Sequence, residues 1–353
     1  MAELRVRIAR VLVGARSIWR DGQRAKRAAI GAGAAGLAAV AVLVGSFPEL
    51  RGWERPLVDA VPEAVVETVA QRAAPPVRAT GLGPEWDLPN MDHPRVEHWI
   101  GEFVNNPRMN ERYQGFLDRG GAWVPLMMDR LEERGMPLDL IYLSMVESGF
   151  RPEAVSRAGA VGLWQFLRAT GQEYGLVVDR AVDERRDPVK ATEAGLDYLE
   201  RLHNRFGSWY LAMAAYNGGQ NRVARIMRQT LGRERARGEQ DYYRILSRLP
   251  RETQDYVPLI IAAGRIAKDP EAYGFRPMSQ SPIAWEEVTF APATPLTEIA
   301  DLYGATVEEI RELNPHLLIY RTPNNRDYAV RLPVGSLARH AAAAGAPTVR
   351  RGG

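Results

Sequence analysis

One carboxylate in this 353-residue sequence stands where acid–base chemistry could be done. Glu147 closes the segment MPLDLIYLSMVESGF, in which Leu138, Leu140, Ile141, Leu143, Met145 and Val146 make a helix apolar nearly all round and therefore buried. At the C-terminal end of such a helix, the dipole and desolvation both disfavour a charged carboxylate and raise its pKa. A carboxyl still protonated near neutrality is what a general acid acting on a glycosidic oxygen requires. The plain alternative is a surface Glu at a frayed helix end. Glycosidases mostly work with two carboxylates, and the second is not obvious here: Asp139 lies about two turns back on the same helix, and Glu153 in the polar loop after it. Other chemistries are excluded or disfavoured. There is no Cys, and the five His never fall at metal-ligand spacing, so no metal is expected.

The elements that must hold Glu147 are helical. From about residue 92 to 275 the apolar period is 3–4 almost throughout. The clearest case opens at Asp187-Pro188, continues through Val189, Thr192, Leu196, Leu199, Leu202 and Phe206, and stops at Gly207. Residues 49–91, with AAPPVRATGLGPEW, read as a tether. Residues 285–335 change period: WEEVTF alternates as a strand, Thr294-Pro295 starts a short helix, Thr306 and Glu309 make a capping box for a second, and YAVRL alternates again before Pro333. The order β-α-α-β predicts a compact independent module, with Thr294 and Thr306 capping its helices. Residues 336–353 are Ala, Gly and Arg, and read as a disordered tail.

Three further segments share the helical region with Glu147: VSRAGAVGLWQF, SWYLAMAAYNGG and PRETQDYVPLIIAA. Alone, Tyr216 and Tyr256 read as core aromatics and Gln165 as a turn residue. Taken in order, E-S-G-F, S-x-A-G-A-x-G-L-W-Q-F, A-x-A-A-Y-N and E-T-x-x-Y-V resemble the soluble lytic transglycosylase family, whose catalytic domain is mainly α and lysozyme-like. The resemblance covers about residues 92–275 and implies a site residue by residue. Glu147 matches the sole catalytic acid/base, and Ser156 a neighbouring cleft residue. Gln165 matches a ligand of the sugar's N-acetyl group, Tyr216 the tyrosine whose hydroxyl faces the catalytic Glu, and Asn217 the Y-N turn. Glu252 and Tyr256 match cleft residues of the E-T-x-x-Y-V helix. Residues 285–335 resemble a LysM glycan-binding module. Two departures stand out: AYNGG replaces the usual A-Y-N-A-G or A-Y-N-S-G, and ATPL (293–296) replaces the LysM opening G-D-T-L.

The activity implied is non-hydrolytic cleavage of the MurNAc-β-1,4-GlcNAc bond of peptidoglycan strands, leaving 1,6-anhydro-MurNAc ends. One carboxylate then suffices, because the substrate's own C6 hydroxyl is the nucleophile, and the resemblance implies that no water, metal or cofactor is consumed. A hydrolytic muramidase and an inactive, membrane-anchored glycan-binding scaffold are the alternatives.

Charge places the chain. The net charge is +3, but residues 1–27 carry eight Arg/Lys against Glu3 and Asp21, so the basic excess sits in the leader and gives no reason to expect a nucleic-acid partner. Residues 28–48 then form a 21-residue uncharged run, long enough to cross a bilayer as a helix. The positive-inside rule puts 1–27 in the cytoplasm and the rest in the periplasm, anchored by one pass. A cleaved signal is the alternative.

Overall fold

The helical region starts with two helices joined by a single residue. Helix α1 (Pro94–Asn105) begins where the His93 ring accepts the Arg95 amide, and α2 (Pro107–Glu133) where Asn106 caps the amides of Arg108 and Met109. Each has Pro in its first turn, where the missing N–H costs nothing. The computed structural model describes residues 85–278 and 282–345. The expected leader, the membrane segment 28–48 and most of the tether lie outside the described residues; among those described, no helix is long and apolar enough to cross a membrane.

A 3₁₀ turn (Leu138–Leu140) leads into α3 (Ile141–Ser148), the helix that carries Glu147. Then come α4 (Arg168–Glu173), α5 (Pro188–Phe206), α6 (Trp209–Gly218), α7 (Gln220–Leu231), α8 (Gln240–Ile245) and α9 (Arg251–Lys268). Helix α5 runs as its periodicity predicts, from the Asp187 cap to a left-handed Gly207. Helix α3 is buried along nearly its whole length and packs on α9 and α2, while α9 also packs on α1 and α6. One core joins them, with Tyr113, Tyr142, Trp164, Phe103 and Phe206 among its largest fully buried side chains.

The chain enters this core earlier than the tether expectation allowed. Leu88 is buried, the Trp86 ring lies against Tyr142, and the Asp87 carboxylate accepts the Leu138 and Asp139 amides. Residues 85–91 are therefore part of the helical unit, because their apolar side chains find a floor there.

The C-terminal module holds β1 (Trp285–Phe290), α10 (Leu296–Tyr303), α11 (Val307–Leu313), β2 (Tyr328–Pro333) and α12 (Ser336–Gly345). The strands pair antiparallel, from Trp285 opposite Pro333 to Phe290 opposite Tyr328. The Thr306–Glu309 capping box is formed, but Thr294 does not cap α10: its hydroxyl donates to Ala291 O at 2.8 Å, and the helix starts from Pro295 without a side-chain cap. Residues 336–345 are helical, contrary to the disorder that their composition predicts. The Glu286 carboxylate accepts the Gly335 and Leu337 amides at the helix start, and Arg339 bonds the Tyr303 carbonyl. A tertiary contact supplies what the Ala-rich sequence lacks.

Nor does the module stand apart. The described residues cluster as one unit. Val182, from the helical region, is fully buried in the module's own core beside Leu296, Ile310 and Val330. Asp183 N–H donates to His316 O and Leu318 N–H to Ala181 O, both at 2.9 Å, so the two parts share one antiparallel β-bridge, Val182 opposite Leu317. Beneath it Arg331 grips Asp187 with contacts of 2.7 and 2.9 Å.

Candidate active site

Glu147 occupies the last turn of α3, which ends at Gly149 in the left-handed conformation. Its side chain keeps an open edge, yet protein atoms crowd the carboxyl. Burial raises its pKa from the ordinary 4.5 to about 7, opposed by a hydrogen bond from the Tyr256 hydroxyl and assisted by the negative charge of Glu252. The Tyr256 hydroxyl reaches Glu147 Oε1 at 2.5 Å. Tyr216 lies near the same carboxyl without a hydrogen bond to it. Its hydroxyl donates to the Trp164 carbonyl at 2.6 Å, and its pKa is raised by burial first and by the nearby Glu147 charge second. The tyrosine bonded to the carboxyl is thus the one on α9, because α3 packs directly along that helix.

Asn217 and Glu252, quoted from separate motifs, are in contact. The Asn217 amide donates to Glu252 Oε1 at 3.0 Å, and Thr253 Oγ1 donates to Asn217 Oδ1 at 2.8 Å. The departure AYNGG fits this junction: a Cβ on Gly218 would lie 2.8 Å from Thr253 Oγ1.

Ser156 and Gln165 belong to the loop 154–166. The Ser156 hydroxyl accepts the Ala160 amide at 3.0 Å and closes a turn there. Gln165 has a positive φ of 46°, and its amide donates to Ala154 O and Gly162 O. Its side-chain carbonyl keeps its lone pairs for another partner. Ser144 and Ser148 of α3 both donate to Leu163 O, which fastens this loop to the helix of Glu147. Gly162 sits at φ 86° with Arg185 O only 1.7 Å from where a Cβ would be. Trp164, fully buried, donates its indole N–H to Thr192 Oγ1 at 3.0 Å.

The two other acids are accounted for. Asp139 is buried and paired with Lys268 at 2.7 Å, and also accepts the Asp87 and Leu88 amides. It is a structural ion pair. Glu153 is exposed.

The residues missed by the motifs are Asp183 and Arg185. Asp183 pins Arg185 through both carboxylate oxygens at 2.9 and 2.8 Å, and Arg185 Nη1 donates to Gly159 O and Phe166 O at 3.1 Å each. The charge-dense DERRDP was their only signal, and a surface loop gives the same signal. No group of His, Asp and Glu suited to a metal ion occurs among the described residues.

Fold and site together define a class. Residues 128–237 match the transglycosylase SLT domain, and residues 284–347 match the LysM-like domain of lytic transglycosylase MltD. The chain carries both domains. It is 33% identical over 247 residues to membrane-bound lytic murein transglycosylase D of Escherichia coli, covering 67% of this chain and 53% of that protein. Membrane-bound lytic murein transglycosylase C of Photorhabdus laumondii is 31% identical over 122 residues, covering 31% of this chain and 34% of that protein. The 70 kDa soluble lytic transglycosylase of Escherichia coli matches structurally at 25% identity with a TM-score of 0.34, over 43% of this chain and 25% of that one. The chain spans about half the length of the murein transglycosylases D that it matches.

Proposed function

We propose that this protein is a peptidoglycan lytic transglycosylase with a lysozyme-like catalytic domain, held at the cytoplasmic membrane by residues 28–48 and working in the periplasm. The observation that carries the reading is the crowded carboxyl of Glu147, with a pKa near 7, a hydrogen bond from Tyr256, and Glu252 and Tyr216 close enough to interact with its charge. Glu147, protonated, delivers its proton to the leaving oxygen of the MurNAc-β-1,4-GlcNAc bond. The substrate's 2-acetamido group stabilises the positive charge left on the sugar. Glu147, now a carboxylate and accepting the Tyr256 hydrogen bond, takes the proton of the C6 hydroxyl as that oxygen closes onto C1. The carboxyl is restored and the product is a 1,6-anhydro end. Gln165 offers its free carbonyl to an N-acetyl N–H, while Tyr216, Asn217, Glu252 and Ser156 shape the surrounding cleft. The C-terminal module binds the same polymer.

Mass spectrometry of fragments released from purified cell-wall sacculi tests this. Anhydro-muramyl ends are expected. Reducing ends would make the enzyme a hydrolase, and no release at all would leave a binding scaffold.

A further inference from the structure

The segment Val178–Asp187 is a strap between two bodies. One of its sides faces loop 154–166: Arg185 spans Gly159 O and Phe166 O, and the Arg185 carbonyl lies so close to Gly162 that only glycine fits there. The other side carries the C-terminal module: the Asp183 amide bonds His316 O, and Val182 fills the module's core. The ends of the strap are held as well. Tyr328 of β2 donates to Glu184 Oε1 at 3.2 Å, and Arg331 of β2 grips the buried Asp187. Asp187 in turn caps α5 through the Val189 and Lys190 amides, and α5 supplies the Thr192 hydroxyl that holds Trp164 beside Gln165. A chain of buried polar contacts therefore runs from β2 to the loop that presents Gln165.

We propose that the C-terminal module braces the substrate loop, with Arg331 as a positioning residue that acts through Asp187 and the strap. This deepens the functional reading above and rests on it. The strap has no apolar core of its own and is rich in charge, so its course is fixed by what lies on either side. Loosening one side lets Arg185 shift, and with it the Gly159 and Phe166 carbonyls of the loop. Gln165 then meets the glycan in more than one position, while Glu147 and Tyr256, on α3 and α9, keep theirs. The module thus contributes to recognition of short soluble fragments, in addition to holding the polymer.

The test uses the full chain carrying Arg331→Gln, with turnover of a short, soluble, N-acetylated peptidoglycan fragment. KM is expected to rise about tenfold, short of the hundredfold that a misplacement of roughly 1 Å can cost. The kcat and the pH profile should stay near those of the unaltered protein. Arg331→Lys should recover most of the loss. In the Arg331→Gln background, Gln165→Ala should add little further to KM, since the two changes strike one device; additive effects would overturn the proposal. Amide hydrogen exchange is read in parallel and needs no activity. The Val161 and Phe166 amides, which bond across the loop, should exchange faster in Arg331→Gln, and those of α9 should not. Should Arg331→Gln fail to fold, Tyr328→Phe, which removes the β2 hydroxyl bonded to Glu184 of the strap, takes its place in the same measurements. Unchanged exchange in the loop of a folded variant refutes the brace, whereas absence of product from the unaltered protein refutes only the functional reading.

Discussion

Replacing Glu147 by Gln should stabilise the protein in alkali while silencing it. In the folded chain, burial moves this carboxyl from 4.5 to about 7. The sign follows from linkage: a carboxyl whose folded pKa is raised favours the folded state while protonated, and that advantage is lost as pH climbs from the unfolded value through the folded one. At about 1.36 kcal/mol per decade of acidity, the full gap amounts to roughly 3 kcal/mol once the group is ionised in both states. Solvent at the open edge of the side chain screens part of it, leaving about 2 kcal/mol. The amide of Gln carries no charge and still accepts the Tyr256 hydroxyl, so it escapes the penalty and keeps the contact. Thermal melting at about pH 5 and about pH 8.5 should show little difference between the two proteins at the first and roughly 4–8 °C in favour of Glu147→Gln at the second. The same variant should lose at least about 10²–10⁴-fold in muropeptide release, because one group serves as both acid and base. An identical melting difference at both pH values would refute the claim that burial of this carboxyl sets its acidity. Near-normal release by the folded variant would remove Glu147 from the chemistry.

Tyr256→Phe deletes the hydrogen bond that lowers the Glu147 pKa, so the alkaline limb of the pH–rate profile should move to higher pH while kcat falls; a limb that stays put would separate the two groups. Gly162→Ala sets a methyl 1.7 Å from Arg185 O at a positive φ, and both urea denaturation and turnover should register it, with a loss of at least about 2 kcal/mol of stability. Deleting residues 285–353 takes Arg331 from Asp187 and uncovers Val182, and should lower the melting point of the remaining helical unit. If the shortened protein melts like the full one, the ion pair holds nothing together.

Helices and strands were legible in the sequence because their signals are local. Asp187-Pro188 and Gly207 bound α5, and Thr306 with Glu309 opens α11, as the residue types dictate. What escaped was set by partners far along the chain. Nothing in an Ala-rich tail announces that Glu286, about 50 residues earlier, will cap it. Nothing in GPEWDLP announces that Trp86 will find Tyr142. In the site, the Glu147 environment followed from an apolar helix ending in one acid. Which of two tyrosines would touch that acid depended on how α3 lies against α9, and periodicity does not contain a packing direction.

The grip of Arg331 on Asp187 also bears on how such proteins can be rebuilt. Glycan-binding modules are often treated as interchangeable beads on a string, added, deleted or swapped with little effect on their neighbours. Here the joint is a buried salt bridge with a shared β-bridge, and a residue of the helical region forms part of the module's core. A transplanted module would need its own arginine at the Arg331 position and a hollow for Val182, or the acceptor would be left with an unpaired buried charge. Recombination in this chain should therefore succeed when a cut point keeps residues 178–190 and 314–331 from the same parent, and fail when it parts them.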